Sequence, residues 1–295
     1  MKILLLGGSG QLGYELSNRI RDLNFELTAP VSKELDVTDR KQVKFIVKKF
    51  SPDVIINCAA YTAVDLAEDE PKKAFALNET ATVNIAKAAK NANSFMIQIS
   101  TDYVFSGEAS TPYKEEDPVG PVSVYGESKL AGEKALQEIL PDNSLVVRTS
   151  SLHGQRRANF VHAMIKLFSE REKLEVVSDQ FMTATWCGWL AEVIIDLARI
   201  KNSGVVHAAG AGVLSWHEFA TTIYEKVKEN NPNILKDINI AQTTLANFPR
   251  KAKRPQYSAL CSTKLESWLG RSVISWEEGL DSHLKDIDYG NKLEI

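Results

Sequence analysis

Short apolar runs alternate with amphipathic stretches through the first half of the chain. Ile3–Leu6 is apolar at every position, which is typical of a strand buried on both faces, and a helical pattern follows over about residues 11–22. Strands that alternate with helices pair in parallel, so the pattern predicts an α/β fold with a doubly wound parallel sheet of the Rossmann type. The further predicted strands are Phe25–Ala29, Val54–Cys58, Phe95–Ser100 and Leu145–Arg148. Three further helices are predicted: one that begins after a cap at Thr38, one from Pro71 to Lys90 and one from Tyr125 to Ile139.

The second half of the chain is less regular. Helices are predicted over 159–171 and 216–230, and the apolar run Gly204–Ala209 between them indicates a strand. We therefore expect a dinucleotide-binding domain over residues 1–150 and a smaller, mainly substrate-binding domain over 151–295. A segment near 204–210 is expected to return to the main sheet.

Composition narrows the classes of function. Hydrophobic residues make up 44% of the chain and the net charge is -3, so no basic surface predicts nucleic acid or an anionic membrane as a partner. The apolar stretch of MKILLLGG is too short for a signal peptide, and three widely spaced cysteines suit a reducing compartment, so we expect a cytoplasmic protein. The five histidines show no metal-ligand spacing, and we predict no metal site.

A glycine-rich turn is predicted directly between the first strand and the first helix. Gly7, Gly10 and Gly13 form the pattern GxxGxxG at this point. Glycine tolerates positive φ and, because it has no Cβ, lets the backbone approach a pyrophosphate. The helix that follows presents free N–H groups and the positive end of its dipole. The turn therefore predicts a dinucleotide site.

The end of the second strand bears on the choice of cofactor. An acidic residue usually closes this strand and holds the ribose of NAD, but the segment Ala29–Lys33 contains no acid. Ser32 and Lys33 could instead accept a 2'-phosphate. NADPH is therefore the expected cofactor, with NADH as the alternative. Asp36 and Val37 follow at the position expected to border the adenine.

Tyr125 and Lys129 are four residues apart, which on a helix puts both side chains on one face. A phenol has an ordinary pKa near ~10 and is a poor acid–base group at neutral pH. A nearby ammonium favours the phenolate and is expected to lower that pKa. The same ammonium could hydrogen-bond the nicotinamide ribose, so the pair predicts a proton donor beside a hydride donor.

Two further strand ends are predicted at the same edge of the sheet. Thr101 would lie at the carboxyl edge, where ligands bind in open α/β folds, and its hydroxyl could polarise a substrate carbonyl. Ala59 and Ala60 end another strand, and their small side chains leave room for the cofactor. Together, Thr101, Tyr125 and Lys129 predict an NAD(P)-dependent oxidoreductase.

These motifs resemble those of the extended short-chain dehydrogenase/reductase family and, within it, the dTDP-4-dehydrorhamnose reductase family. The resemblance covers most of the chain, and CAAYTAVD, STDYVF and RPxxS are its most specific parts. It implies hydride transfer to the 4-keto carbon of a dTDP-linked deoxysugar in dTDP-rhamnose and polysaccharide biosynthesis. A nucleotide-sugar is then the expected partner, and a homodimer is one possible assembly. The resemblance assigns Gly10, Gln11, Leu12, Asp36, Val37, Ala60, Tyr61, Thr62, Tyr125 and Lys129 to the cofactor, and Thr101, Asp102, Tyr125, Val64, Asn159 and Arg254 to the sugar.

Two segments depart from the family pattern. The family usually reads RTxW where this chain has Ser151, and that tryptophan lies against the substrate. The family segment DQxGxPT becomes DQFMTAT, with Met182 at the glycine position. A reductase or epimerase of another nucleotide-linked 4-ketosugar therefore stays an alternative. A non-catalytic, NADP-binding regulatory subunit is a second alternative, against which the retained Thr101, Tyr125 and Lys129 argue. The tryptophans expected to serve as packing or interface aromatics are Trp186, Trp189 and Trp216.

Overall fold

The computed structural model describes residues 1–230 and 235–287. Its strands are β1 (Lys2–Leu6), β2 (Glu26–Thr28), β3 (Val54–Asn57), β4 (Phe95–Thr101), β5 (Ser144–Thr149), β6 (Leu152–His153), β7 (Lys173–Val177), β8 (Phe181–Met182), β9 (Thr185–Trp186), β10 (Gly204–His207), β11 (Leu214–Ser215) and β12 (Asn239–Thr243). Its α-helices are α1 (Gln11–Arg21), α2 (Arg40–Phe50), α3 (Val64–Ala67), α4 (Pro71–Phe75), α5 (Ala81–Ala92), α6 (Val124–Ile139), α7 (Phe160–Glu170), α8 (Cys187–Ile200), α9 (Trp216–Asn230), α10 (Thr263–Leu269) and α11 (Trp276–Lys285).

The central sheet has six strands in the order β10-β5-β4-β3-β1-β2. Every neighbouring pair in it is parallel, so the predicted doubly wound parallel sheet is confirmed. The strand β10, from the second half of the chain, lies at one edge beside β5. The chain leaves β1 in one direction toward β2 and returns on its other side with β3. This reversal opens a crevice beyond the carboxyl ends of the strands, where ligands bind in such folds.

The alternation of side chains along β1 supplies two cores, one on each face of the sheet. Ile3 and Leu5 pack in a cluster with α1 and α8, whereas Leu4 and Leu6 pack in a cluster with α2, α5 and α6. None of these four residues is more than 1% exposed. A strand buried on both faces must be apolar throughout, which is the pattern that the sequence shows. The pattern analysis did not predict α8, whose buried residues surround most of its circumference.

The start of α2 differs from the prediction. Asp39, not Thr38, caps the helix, and its carboxylate accepts hydrogen bonds from the N–H groups of Lys41 and Gln42. The Thr38 hydroxyl instead donates to Asp36 over 2.7 Å. Both residue types are good N-caps, and the choice between adjacent ones depends on backbone geometry that the sequence pattern does not resolve.

The second half of the chain builds a core of its own. Helices α7, α9 and α11 contribute most of its buried apolar side chains, and the parallel pair β7–β12 packs beside them. The division into two domains at residue 150 stays a prediction. Within residues 1–230 and 235–287, no helix is both long and apolar enough to cross a membrane.

Three histidines are buried where β6, α7 and α11 meet. His153 and His283 are 1% and 0% exposed, and His162 is also buried. The Nδ1 atoms of His153 and His283 lie 3.0 Å apart, so one ring donates a proton and the other accepts it. This contact requires the accepting ring to be neutral, and protonation of both rings would break it. Burial lowers the pKa of His153 to about 3 and that of His283 to about 2.

We expect this pair to make the fold sensitive to acid. Below the ordinary pKa of 6.5, the unfolded chain takes up protons while the buried rings stay neutral. Their contribution to stability is therefore complete above pH 6.5 and is lost as the pH falls toward 3. Below pH 6.5, the free energy of unfolding in urea falls as the pH is lowered. For His283→Phe it should fall by about 1 kcal/mol less per pH unit than for the parent protein. His217→Asn, on α9, should follow the parent, and equal slopes for His283→Phe and the parent would contradict the prediction.

Candidate active site

The glycine-rich turn between β1 and α1 is closely packed. Gly7 has φ +78°, and a Cβ there would lie 2.5 Å from the backbone nitrogen of Ala59. A Cβ on Gly13 would lie 2.2 Å from the carbonyl oxygen of Gly7. The N-cap of α1 is Gly10, which has no side chain to occupy the first-turn N–H groups. The turn therefore leaves backbone donors free for an anion, as its sequence predicts.

A cavity of about 650 Å³ begins at this turn and follows the carboxyl edge of the sheet. It ends among Thr101, Tyr125 and Lys129, so the three residues predicted to be catalytic lie on one wall. The other predicted site residues on its wall are Gly7, Gly10, Gln11, Leu12, Gly13, Val37, Ala59, Ala60, Thr62, Val64 and Asp102.

Two of the residues predicted to bind the adenosine end do not line this cavity. Lys33 is exposed on the loop after β2, whereas its neighbour Ser32 lines the wall. The Asp36 carboxylate accepts hydrogen bonds from the N–H and hydroxyl of Thr38 at 2.8 and 2.7 Å. It therefore shapes the loop that carries Val37 to the cavity wall. Contacts of Lys33 and Asp36 with the cofactor stay predictions.

Tyr61 and Asn159 have structural partners. The Tyr61 hydroxyl donates to Glu70 over 2.8 Å, and its backbone N–H donates to Asn78 over 2.8 Å. Asn78 lies in a π-helical turn, Ala76–Thr80, which interrupts the helix predicted to be continuous from Pro71. Asn159 caps α7 by accepting from the His162 N–H.

The pKa of Tyr125 differs from the prediction. Burial raises the pKa of its phenol to about 12, against the lowering effect of the neighbouring Thr101 hydroxyl. Lys129 was expected to lower the pKa of Tyr125, but its ammonium donates to the carbonyl oxygen of Ile99 over 2.6 Å. Burial lowers the pKa of Lys129 itself to about 8. Desolvation therefore dominates both groups in this structure.

Asp102 is 3% exposed and accepts hydrogen bonds from neighbouring hydroxyls. Thr101 donates to its Oδ1 over 3.0 Å and Ser150 donates to its Oδ2 over 2.9 Å. Burial raises the pKa of Asp102 to about 6, while hydrogen bonds from Ser258, Ser150 and Thr101 act in the opposite direction. The Thr101 hydroxyl must therefore turn away from Asp102 to polarise a substrate carbonyl. The sequence analysis did not single out Ser150, and it named Ser258 only as the last residue of the RPxxS motif.

A second groove, of about 840 Å³, adjoins the cavity. Tyr103 and Trp216 line both spaces and form the neck between them. Trp216 packs against Phe160 with ring centroids 4.6 Å apart, and Tyr103 meets the Tyr125 ring edge-on at 5.8 Å. Trp216, expected to be a packing aromatic, therefore also borders the site. The cations in this groove are Arg171, Lys173, Arg250 and Arg254.

Arg254 reaches back across the groove to α3. Its guanidinium pairs with Asp65 over 2.9 Å, and the same carboxylate accepts from the N–H of Ala252 over 3.1 Å. The guanidinium also lies 6.0 Å from the centroid of the Tyr103 ring. Arg254, predicted to bind the sugar, thus lies in the groove beyond the neck and not on the wall that carries Tyr125.

Comparison with known proteins decides the family. The family described as RmlD substrate binding domain matches residues 1–289. A dTDP-4-dehydrorhamnose reductase of Shigella flexneri is 37% identical and covers 97% of this chain and 98% of its own length. The chain belongs to the dTDP-4-dehydrorhamnose reductase family. The predicted resemblance is therefore confirmed.

Two solved structures of the family share the fold over nearly the whole chain. The dTDP-4-dehydrorhamnose reductase of Clostridium acetobutylicum superposes with a TM-score of 0.91 at 38% identity, covering 97% of this chain and 99% of that one. The dTDP-4-dehydrorhamnose reductase of Bacillus anthracis, solved in complex with NADP, has a TM-score of 0.91 at 34% identity, with coverage of 97% and 99%. Ser151, at the position where the family pattern RTxW has tryptophan, lies on the cavity wall with φ +45°.

Proposed function

We propose that this protein reduces the 4-keto group of dTDP-4-dehydro-L-rhamnose to dTDP-L-rhamnose with NADPH, and that NADH can substitute. The observation that carries the proposal is the single wall shared by Thr101, Tyr125 and Lys129 at the end of the cavity that begins at the glycine turn. Membership of the dTDP-4-dehydrorhamnose reductase family supports the substrate class.

The cavity suits a dinucleotide. Gly7 and Gly13 have no room for a Cβ, and the uncapped start of α1 leaves N–H donors for the pyrophosphate. Ser32 and Val37 border the end assigned to the adenosine. Arg157 donates to the carbonyl oxygen of Ser9 over 3.0 Å and brings a cation to the phosphate turn. When bound, NADPH supplies the hydride.

The chain's own residues supply the proton and the orientation. A pKa of about 12 keeps the Tyr125 phenol protonated at neutral pH, which suits a proton donor to the developing alkoxide. The Thr101 hydroxyl would stabilise that charge after turning from Asp102. Lys129 would orient the nicotinamide ribose and stabilise the phenolate left by proton transfer. The proton donor thus starts in its neutral form and not as a phenol of lowered pKa.

The second groove suits the nucleotide part of the substrate. Its cations face a space that opens through the Tyr103–Trp216 neck toward Tyr125. Because a pyrophosphate is anionic, Arg254→Gln should raise KM for the nucleotide-sugar about tenfold or more, or roughly 1.4 kcal/mol, without changing the dissociation constant of NADPH. Lys264→Gln, away from both spaces, should change neither. An unchanged KM in Arg254→Gln would remove this groove as the pyrophosphate site.

The direct test mixes the purified protein with NADPH and enzymatically made dTDP-4-dehydro-L-rhamnose and follows the loss of NADPH absorbance. Sugar-dependent oxidation, with dTDP-L-rhamnose as product, is the expected result. Oxidation only with another nucleotide-linked 4-ketosugar would favour the alternative raised by Ser151 and Met182. Tight binding of NADPH without turnover of any such sugar would favour the alternative of a non-catalytic, NADP-binding regulatory subunit. We also propose a cytoplasmic location, and a homodimer stays a prediction.

A further inference from the structure

A buried ion pair lies behind the wall that carries Tyr125 and Lys129. Glu133 is 2% exposed and Arg148 is 5% exposed. The Glu133 carboxylate accepts from Arg148 Nε at 3.1 and 3.2 Å and from Arg148 Nη2 at 2.8 Å. The Ser100 hydroxyl donates to the same carboxylate. Neither charge lines the cofactor cavity or the second groove.

This pair joins the two elements that carry the chemistry. Glu133 follows Lys129 by one helical turn and Tyr125 by two turns on α6, so the three share a face. Ser100 and Arg148 are register partners across β4 and β5, one position before the end of each strand. The next residue of β4 is Thr101, so one carboxylate fixes the catalytic face of α6 against the strand that carries Thr101.

Stability alone does not account for the pair. Burial of two charges costs desolvation energy, and apolar side chains of similar size often stabilise a protein as well or better. Arg148 also keeps an unsatisfied buried donor, since its Nη1 has no hydrogen-bond partner among the described residues. Its guanidinium is otherwise placed 5.2 Å from the ring centroid of Phe105. The desolvation cost of this buried ion pair is better explained by a role in the neighbouring site than by stability.

Glu133 is also the anion that acts on Lys129. Burial lowers the pKa of Lys129, and the Glu133 carboxylate is the largest opposing influence, followed by Cys58, which directly follows β3. The other titratable groups that line the same cavity are Asp102, Tyr103, Tyr125 and Arg157. Removal of Glu133 would therefore favour neutral Lys129 at a lower pH.

We propose that Glu133 is a positioning residue for the reduction, which fixes the face of α6 that carries Tyr125 and Lys129 against the end of β4. This inference rests on the proposed function for its effect on turnover, but its effect on Lys129 does not need a substrate. Arg148 and Ser100 serve as the partners that hold the carboxylate in place.

The test compares Glu133→Gln with the double variant Glu133→Leu/Arg148→Met. The double variant removes both charges together, so the inference can be tested even if Glu133→Gln does not fold. Glu15→Gln is the matched control, because Glu15 is 7% exposed and pairs with Arg19 over 2.7 Å on α1, outside the cavity wall. Thermal unfolding identifies the variants that are folded.

Two measurements on folded variants decide the inference. In the cofactor-free protein, trace labelling of amines with acetic anhydride, read at Lys129 by mass spectrometry, should show a midpoint about one pH unit lower than in the parent and in Glu15→Gln. With NADPH and nucleotide-sugar, kcat at pH 8 should fall about tenfold or more. The basic limb of the pH profile of kcat should move toward lower pH, as the Lys129 midpoint does.

The outcomes separate this inference from the proposed function. An unmoved Lys129 midpoint and an unmoved basic limb in a folded variant would assign the pair a purely structural role and overturn the inference. A shifted midpoint in a parent protein that reduces no nucleotide-sugar would overturn the proposed function while the effect of Glu133 on Lys129 stands.

Discussion

Replacement of Tyr125 by phenylalanine is expected to lower kcat for the nucleotide-sugar by at least about a hundredfold, because it removes the proposed proton donor. The ring would still meet Tyr103, which lies edge-on to it at 5.8 Å, so the fold and the cavity shape should persist. The measurements are steady-state oxidation of NADPH and binding of NADPH followed by its fluorescence.

The control for Tyr125→Phe is Tyr14→Phe. Tyr14 lies on α1 outside the cavity wall, with the Arg156 guanidinium 4.4 Å from its ring centroid. We expect Tyr14→Phe to keep the activity of the parent and both variants to bind NADPH. If Tyr125→Phe retained more than about a tenth of kcat, another group would have to supply the proton.

Replacement of Gly13 by alanine is expected to weaken NADPH binding by at least about tenfold and to lower the free energy of unfolding by about 1–3 kcal/mol. A Cβ at this position would lie 2.2 Å from the carbonyl oxygen of Gly7 and 2.7 Å from the Cα of Gly8. These neighbours are backbone atoms, so the phosphate turn itself must move. Titration of NADPH fluorescence and urea unfolding measure the two effects.

Gly120→Ala is the matched control for this change. A Cβ there would meet only the Cβ of Ser106, at 3.6 Å, which is an ordinary contact. It should leave both NADPH binding and stability close to those of the parent. Parent-like NADPH binding by Gly13→Ala would mean that the turn does not hold the cofactor.

The positions of the sheet and of the proposed catalytic residues follow from local sequence. Continuous apolar strands such as β1 and β3, each followed by an amphipathic helix, leave few arrangements other than a parallel sheet. The carboxyl ends of parallel strands meet at one edge, so Thr101 and the glycine turn were expected to share it. The spacing of Tyr125 and Lys129 placed both on one face of α6.

Contacts between segments that are distant along the chain could not be predicted from local sequence. Trp216 borders the site because α9 packs beside the cavity, and Arg254 turns toward Asp65, which lies 189 residues away. Helix α8 was missed because it is apolar on most of its circumference and lacks the one-sided pattern that marks a surface helix. The π-helical turn that directs Asn78 toward Tyr61 has no comparable sequence signal.

The sequence by itself determined the fold class, the position of the glycine turn between β1 and α1, and the placement of Tyr125 and Lys129 on one face of a helix, because each depends on periodicity or on residues close together along the chain. Only the tertiary structure decided the electrostatics. The spacing of Tyr125 and Lys129 predicted a lowered pKa for Tyr125, whereas burial raises it to about 12. The pairing of Glu133 with Arg148 was equally hidden. Desolvation and ion pairing depend on every element packed around a group, and that environment exists only after the strands and helices have assembled.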